Sequence, residues 1–387
     1  MTRIYLDYAA TTPVAPEVIE AMQPYFQAVS GNPSAIYAEG QQARQAVEGA
    51  RAACARVINA RSDEITFVSG GTEADNMALA GVCRASAKSH PHIITTAIEH
   101  HAVLETCHFL EKQGVAVTIL QVDGQGFVDP VSVEKALRPD TVLVSVILAN
   151  NEIGVIQDLA AISRITRPAG VYLHTDAVQA FGRIPVDVQA LGVDLLSISA
   201  HKLYGPKGIG ALYIRKGTRI APLIWGGGQE RGKRSGTENV PGIIGLGKAA
   251  ELAAADLTAE ASRLTLLRDR LIAGVLAGVP GSRLNGHPTR RLPNNANFSF
   301  DYVEGESVCL NLDLAGIAAS PGSACSSTST SPSHVLTALG LPPHQAFGSL
   351  RLSLGRGTGK AGIDRVMAVL PEVVSRLRAM SPVARQQ

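Results

Sequence analysis

The chain has 387 residues, of which 45% are hydrophobic and 18% are charged, and its formal net charge is +2. At roughly 150 residues per domain, this length predicts two or three domains of ordinary soluble composition. The sequence has neither the basic runs of nucleic-acid binding nor an apolar run long enough to cross a membrane. We therefore expect no nucleic-acid or membrane partner. The N-terminal residues lack an apolar signal core, which favours a cytoplasmic location.

Apolar, β-branched stretches alternate with helical patterns in the first half of the chain. Strands are predicted at residues 64–69, 92–96, 116–120, 141–149, 171–175, 195–199 and 209–214, and helices at 45–58, 73–85 and 102–113. This alternation predicts an α/β fold with a mostly parallel sheet covered by helices on both faces. A glycine-rich basic loop follows, then a long helix at 241–278 that is broken or bent near Asp256, and then a smaller α+β unit.

Several polar residues follow predicted strand ends, where α/β proteins bind their ligands. Gly71 and Thr72 open a helix whose N-terminal N–H groups suit a phosphate, although Thr72 with Asp75 also matches a capping box. His100 suits stacking on a planar ring or proton transfer, and a satisfied histidine is the alternative.

An acid and a lysine at the ends of two further strands carry the clearest chemical signal. Asp176 ends one strand and is followed by Gln179, and Lys202 follows another in the run Ser199-Ala-His201-Lys202. A pyridoxal phosphate enzyme needs this pair, because the lysine forms the Schiff base and the acid partners the pyridinium nitrogen. The alternatives are that Asp176 caps a helix and that the lysine lies in a structural loop.

Two residues near the predicted site suit contact with a substrate. Arg351 alternates with apolar residues on a predicted strand, and its guanidinium suits either a substrate carboxylate or a structural ion pair. Asn151 follows the longest predicted strand, where its amide suits contact with a ring or a substrate, or forms a turn.

The five cysteines are odd in number and lack Cys-x-x-Cys spacing, so the sequence predicts neither a zinc site nor a disulfide framework. Cys325 lies in a Ser- and Thr-rich stretch, residues 322–333, that is predicted to be a mobile loop. It is the candidate nucleophile, and an unreactive surface thiol is the alternative. The other cysteines lie in apolar stretches and are expected in the core: Cys54, Cys83, Cys107 and Cys309.

Together these residues form motifs that resemble the cysteine desulfurases of the nitrogen-fixation and iron–sulfur-cluster type. That family belongs to the class V aminotransferases, which are fold-type I pyridoxal phosphate enzymes. The resemblance extends from Ile4 to about Gly355. Its motifs are Gly71-Thr72-Glu73, Glu99-His100, Asn150-Asn-Glu-Ile-Gly154, His174-Thr-Asp176-Ala-Val-Gln179, Ser199-Ala-His-Lys202, Arg234-Ser-Gly-Thr237 and Gly322-Ser-Ala-Cys325.

We expect a large cofactor-binding domain at residues 16–257. Residues 1–15 and 258–387 would form a small domain that carries the Cys325 loop, at about 320–335.

The resemblance implies a cofactor role for each matching residue. Lys202 would hold pyridoxal 5'-phosphate and move protons, and Asp176 would pair with the ring nitrogen. His100 would stack on the ring and assist proton transfer, and Gln179 would contact the ring hydroxyl. The phosphate would be held by a further set of residues: Gly71, Thr72, Ser199 and His201.

It also implies the substrate and the partners. Asn151 would contact the ring or the substrate carboxylate that Arg351 binds, and Thr237 would reach the neighbouring subunit's cofactor in a homodimer. Cys325 would take sulfur from L-cysteine, leaving L-alanine and a persulfide. An iron–sulfur scaffold or another thiol acceptor would receive the sulfur. No intrinsic metal is implied, only a transient iron–sulfur contact through Cys325.

Two other activities exist on the same fold, selenocysteine lyase and cysteine sulfinate desulfinase, and both need the thiol less. A non-catalytic scaffold is the alternative from a different class. It would be expected to lack Lys202 or the phosphate-binding residues, and all of these are present.

Overall fold

The structure of the protein, a computed structural model, describes residues 3–321 and 332–381. Its strands are β1 Ile4–Tyr5, β2 Ile65–Val68, β3 His92–Thr96, β4 Ala116–Leu120, β5 Thr141–Ser145, β6 Tyr172–Asp176, β7 Leu195–Ser199, β8 Gly210–Ile214, β9 Ser282–Leu284, β10 Asn295–Phe300, β11 Ile317–Ala318, β12 Ser320–Pro321 and β13 Ser349–Ser353. Its α-helices are α1 Pro16–Met22, α2 Ala38–Val57, α3 Gly71–Ala85, α4 His101–Glu111, α5 Pro130–Ala136, α6 Leu159–Thr166, α7 Val188–Leu191, α8 Val240–Gly278, α9 Gly305–Leu314, α10 His334–Ala338, α11 Pro343–Phe347 and α12 Lys360–Met380.

The largest sheet in the described ranges has the strand order β2-β8-β7-β6-β5-β3-β4. Strands β3 to β7 pair in parallel, whereas β8 runs antiparallel to both of its neighbours. The carboxyl ends of β2, β3, β5, β6 and β7 therefore share one edge, because β8 alone reverses direction between β2 and β7. This arrangement confirms the predicted mixed, mostly parallel α/β sheet.

Helices cover both faces of this sheet. Alternate side chains along a strand point to opposite faces. On β5, Val144 accordingly packs in a cluster with residues of α2, α6 and the first part of α8. Its neighbour Leu143 packs in a second cluster with residues of α3 and α4. Strands β2, β7 and β8 are buried on both faces, which is why their sequences are largely apolar rather than alternating, whereas the edge strand β4 is only partly buried.

A four-stranded antiparallel sheet, β12-β13-β10-β9, forms a second layer with its own core. That core joins strand residues such as Phe298 and Leu350 to α12 and to the second part of α8. We propose the domain division given above, residues 16–257 against 1–15 and 258–387, and these separate clusters support it.

Helix α8 continues without a break through Asp256, where the sequence analysis expects a break or bend. Its first part contributes Leu246 to the core of the large sheet, and its second part contributes Leu271 to the core of the small sheet. The apolar pattern changes near Asp256 because the helix leaves one core and enters the other, so its buried face shifts while its backbone continues.

The predicted strands all form, with small differences at their ends. Strand β5 ends at Ser145 instead of residue 149, yet Val146 N and Leu148 N still donate to carbonyls of β6. The helix predicted from residue 45 begins at Ala38. Within the described ranges no helix is long and apolar enough to cross a membrane. Cys54, Cys83 and Cys107 are buried as predicted, whereas Cys309 is only partly buried.

Candidate active site

The shared carboxyl edge of the large sheet brings most of the predicted residues together. Gly71 begins α3 directly beyond β2, and His100 precedes α4 beyond β3. Asp176 is the last residue of β6, and Ser199 is the last residue of β7. Because parallel strands end at one edge, residues more than a hundred positions apart meet in one place.

Lys202 lies in a short 3-10 helix, Ala200–Lys202, immediately after β7. Its Nζ donates hydrogen bonds to the carbonyl oxygens of Ala9 at 2.8 Å and Ala10 at 2.6 Å. Arg183 Nη2 donates to the Lys202 carbonyl at 2.7 Å and fixes the backbone from the other side. The amine of Lys202 is thus held against an N-terminal segment that is remote in sequence.

Asp176 is a buried carboxyl group, 5% exposed, whose Oδ1 accepts a hydrogen bond from Val178 N at 2.8 Å. Burial raises the pKa of Asp176 to about 6, against the opposing effects of Val178 N and the Lys202 charge. The alternative that Asp176 caps a helix is wrong, because the next α-helix begins only at Val188 and is capped by Asp187.

His100 caps the N-terminus of α4, where its Nδ1 accepts a hydrogen bond from Ala102 N at 3.1 Å. Burial lowers the pKa of His100 to about 4, helped by the charge of Lys202, so its ring is neutral at pH 7. One polar atom each of His100, Asp176 and Asp75 lies within 4.8 Å of the others. His100 therefore faces the same point as Asp176.

The first turn of α3 has the features of an anion site. Gly70 occupies the N-cap position without a side-chain hydrogen bond, so the N–H groups of this 15-residue helix are not capped by a side chain. A Cβ atom on Gly71 would lie 3.6 Å from Ser199 Cβ, so the two residues are neighbours. The capping box between Thr72 and Asp75 is wrong, because Asp75 is 1% exposed and lies inside the protein.

His201 and Gln179 complete the predicted cofactor set. A ring nitrogen of His201 lies 3.1 Å from Thr11 Oγ1, and burial, followed by the Lys202 charge, lowers the pKa of His201 to about 4. Gln179 Nε2 donates to Ala9 O at 2.9 Å. Its Oε1 is buried and has no hydrogen-bond partner in the described part of the chain, which leaves an acceptor for a hydroxyl group.

Arg351 is 2% exposed and projects from β13 of the small sheet. Its Nη1 donates to the carbonyl oxygen of Asn151 at 3.0 Å, and its Nη2 to Asp7 Oδ1 at 2.9 Å. The structural ion pair, one of the two roles suggested for Arg351 by the sequence, is therefore present. Arg351 Nε is buried without a partner among the described residues, so the guanidinium retains a donor for another group. Asn151 meets Arg351 through its backbone rather than its amide.

Two predicted residues do not join this cluster. Thr237 is exposed, and no hydrogen bond in the described ranges connects its side chain to the site. Nearby Arg234 pairs with Glu73 in the first turn of α3, at 2.9 Å. Cys325 lies outside the described residues, so its role stays a prediction.

Sequence reasoning assigned no site role to three residues that contact this cluster. Asp7 holds Arg351, Asp75 lies beside Asp176, and Glu99 is 0% exposed and interacts electrostatically with Asp176. The signal in each case was an acid next to a recognised motif residue or inside an otherwise apolar segment. Their partners are distant in sequence, so no local pattern identifies them.

The residues present fit pyridoxal 5'-phosphate. The uncapped turn at Gly71 beside Ser199 suits its phosphate, the unpartnered Gln179 Oε1 suits its ring hydroxyl, and the buried Asp176 carboxyl suits its ring nitrogen. Lys202 lies at the same edge. Fold and site together define a pyridoxal phosphate enzyme of fold type I.

The chain belongs to the aminotransferase class-V family, whose sequence profile matches residues 4–366. It is 56% identical over 98% of its length to the cysteine desulfurase IscS of Dictyoglomus turgidum, covering 96% of that protein. It is 54% identical over 99% of its length to the cysteine desulfurase IscS of Methanosarcina thermophila, covering 95% of it. Among solved structures, a NifS-like protein superposes with a TM-score of 0.91 at 38% identity, over 97% of this chain and 100% of that one.

A methyl group at Gly71 is expected to weaken cofactor binding. In Gly71→Ala the new Cβ would lie 2.8 Å from Val178 Cγ2, so either the Val178 side chain or the turn beside Ser199 must shift. Overpacking of this kind typically costs about 1–3 kcal/mol, so we expect the dissociation constant of pyridoxal phosphate to rise about tenfold or more. The measurement is a fluorescence titration of cofactor-free protein. Gly49→Ala, where the added methyl meets open space, is the control, and equal affinity in both variants would contradict the assignment.

Proposed function

We propose that this chain is an L-cysteine desulfurase: it removes sulfur from L-cysteine, releases L-alanine and passes the sulfur through Cys325 to an acceptor. The observation that carries the proposal is the placement of Arg351 beside the Lys202 cluster. Arg351 and Lys202 both bond to the N-terminal segment, at Asp7 and at Ala9 and Ala10 respectively. A substrate carboxylate bound at Arg351 is thereby brought near the amine of Lys202. The relatives named as cysteine desulfurases support the same reaction.

The residues divide the chemistry of binding and proton transfer between them. When bound, the cofactor supplies an electron sink for the substrate carbon. Asp176 would pair with the ring nitrogen of the bound cofactor and keep its charge there, because a buried carboxylate needs a charged or hydrogen-bonding partner. The His100 ring, neutral at pH 7, would stack on the cofactor when it is bound and could assist proton transfer. Lys202 holds the cofactor and carries protons to and from the substrate carbon.

Contacts at the phosphate and the substrate set the orientation of both molecules. The first turn of α3, with Thr72 and the nearby Ser199 and His201, binds the phosphate. Gln179 Oε1 would accept from the ring hydroxyl, and Asn151 would contact the substrate carboxylate beside Arg351.

The sulfur leaves the substrate by attack of a thiolate. The Cys325 sulfur forms a bond to the substrate sulfur as the carbon–sulfur bond breaks, and that electron pair stays on the carbon, which takes a proton to give alanine. The product on the enzyme is a persulfide. Its outer sulfur then passes to an acceptor thiol, such as one on an iron–sulfur scaffold. A thiol that must act in this way needs a reducing compartment, which supports a cytoplasmic location.

The protein acts as a homodimer in this proposal. The segment from Gly226 to Thr237 is rich in glycine and exposed except at a few positions such as Glu230 and Ser235, and Trp225 beside it is 73% exposed. The Arg234–Glu73 ion pair fixes this segment against the phosphate turn of its own chain. Thr237 then extends toward the cofactor phosphate of the neighbouring subunit.

Loss of the Cys325 thiol should abolish sulfur release and leave the cofactor in place. We expect Cys325→Ser to bind pyridoxal phosphate normally, with an unchanged absorbance spectrum, and to release less than about 1% of the wild-type sulfide, since hydroxyl is a far weaker nucleophile than thiolate. Sulfide is measured with dithiothreitol present. The control is Cys54→Ser, at a buried helix position. Undiminished sulfide release by Cys325→Ser would contradict the persulfide step and favour a selenocysteine lyase or sulfinate desulfinase.

Removal of the Arg351 charge should weaken recognition of the substrate carboxylate. A hydrogen bond to a charged group contributes up to about 3 kcal/mol, so Arg351→Gln should lower kcat/KM for L-cysteine by about 100-fold. The kinetic comparison uses Arg365→Gln on the exposed side of α12 as its control. An unchanged kcat/KM in Arg351→Gln, with the cofactor bound, would show that the role of the guanidinium is limited to its contacts with Asp7 and the Asn151 carbonyl.

The homodimer is tested by native mass spectrometry of the purified holoprotein. We expect a species of twice the 40.5 kDa chain mass. Thr237→Val should keep that mass and lower cofactor affinity, because its hydroxyl serves the other subunit's phosphate. A species of single-chain mass with full cofactor content would contradict both the dimer and the shared site.

A further inference from the structure

A buried polar network lies behind Asp176, on the side away from the cofactor edge. His174 and Asp176 are two residues apart on β6 and point to the same face of the sheet. The His174 ring lies between two serines of the flanking strands: its Nδ1 is 2.8 Å from Ser145 Oγ, and its Nε2 is 3.0 Å from Ser197 Oγ. Ser197 is also hydrogen-bonded to Asp75 of α3. His174, Ser145 and Ser197 have no exposed surface, and Asp75 is 1% exposed.

Among the described residues, Asp75 has no cationic side chain paired with it. Its Oδ1 lacks a hydrogen-bond partner in the described part of the chain. The nearest basic atom recorded there is His174 Nε2 at 3.6 Å, and burial lowers the pKa of His174 to about 3, so that ring is neutral. The remaining titratable groups that face Asp75 are the acids Asp176 and Glu99 and the neutral His100.

Two carboxyl groups in one dry site do not ionise together, because neither water nor a cation offsets their repulsion. The negative charge belongs on Asp176, which accepts from Val178 N and faces the charge of Lys202. Burial, and then the Asp176 charge, raise the pKa of Asp75 well above its usual value. Glu99 is a further buried acid whose pKa burial raises to about 8, so it adds no full charge at neutral pH.

We propose that Asp75 is a neutral carboxylic acid in the folded protein and a positioning residue for Asp176, confining the single negative charge of the site to the group that faces the cofactor nitrogen. This inference rests on the role of Asp176 in the function proposed above. The hydrogen bonds of this network are then all donated in one direction, from Asp75 toward Ser145. Asp75 donates to Ser197, Ser197 donates to a nitrogen of His174, and His174 donates from its other nitrogen to Ser145. In this arrangement His174 accepts at one ring nitrogen and donates from the other, so it keeps a single tautomer.

The proposal makes a specific prediction for the pH dependence of stability. Asp75 has an ordinary pKa near 4 in the unfolded chain, so above that pH a neutral Asp75 must take up one proton on folding. Its contribution to stability is complete below pH 4 and is lost as the pH rises toward its raised pKa. Asp75→Asn cannot ionise. The ratio of the folding equilibrium constant of Asp75→Asn to that of the wild type should therefore rise by about tenfold per pH unit from pH 5 up to the raised pKa of Asp75.

The experiment compares chemical unfolding of wild type and Asp75→Asn, both saturated with pyridoxal phosphate, from pH 5 to 8. The control is Asp140→Asn at a partly exposed site, where Arg138 lowers the pKa of the aspartate, so its ratio to wild type should stay flat in this range. A flat ratio for Asp75→Asn would mean that Asp75 is ionised in the folded protein and would overturn the proposal. Normal sulfide release alongside that result would leave the proposed desulfurase function standing.

A second comparison tests the positioning role. Asp75→Ala removes the donor to Ser197 and opens space behind Asp176, so its cofactor dissociation constant should rise several-fold. Asp75→Asn retains a donor and the shape of the side chain, so it should restore wild-type affinity. Wild-type affinity in the alanine variant would overturn the positioning role.

If Asp75→Asn does not fold, the unchanged protein decides the protonation state. With 13C-labelled aspartate, one carboxyl carbon should keep the chemical shift of a protonated acid at pH 8, and this signal should vanish in Asp75→Glu. If every aspartate carboxyl carbon has the ionised shift at pH 8, the proposal fails.

Discussion

The N-terminal segment at residues 7–12 joins the two halves of the site through hydrogen bonds. Its carbonyl oxygens at Ala9 and Ala10 accept from Lys202 Nζ, and its Asp7 carboxylate holds Arg351. Thr12 Oγ1 accepts from Tyr204 N in the loop after Lys202. These bonds link the edge of the large sheet to a strand of the small sheet. The distance between the amine and the guanidinium therefore depends on how one short segment is packed.

Burial determines which side chains at the site are charged. The carboxyl edge is dry enough that burial raises the pKa of Asp176 and of Glu99 and lowers those of His100 and His201. Histidines there are neutral at pH 7, so they accept and donate hydrogen bonds rather than repel Lys202. A site that contains the Lys202 amine and the Asp176 carboxyl group is suited to a cofactor with a cationic ring nitrogen and an anionic phosphate.

The sequence was sufficient to predict the sheet, its edge and the residues on it, because each of those signals is local. A run of apolar residues predicts a strand. Asp176 and Lys202 lie at or just after the ends of two such runs, so the sequence predicts that both lie at the edge of the sheet. The continuity of α8 was missed because its buried face changes between two cores, a tertiary effect that mimics a break. Asp7 and Asp75 were missed for a related reason. Asp7 meets Arg351 across 344 positions, and Asp75 depends on how α3 packs over β6 and β7.

The proposed function depends most on Lys202 as the residue that binds the cofactor at this edge. Borohydride reduction of the holoprotein makes the bond between a lysine amine and the cofactor permanent, and peptide mass spectrometry then identifies the lysine. We predict a single pyridoxyl phosphate adduct on the peptide that contains Lys202, at close to one per chain. An adduct on Lys207 or on several surface lysines, with Lys202 unmodified, would contradict the account.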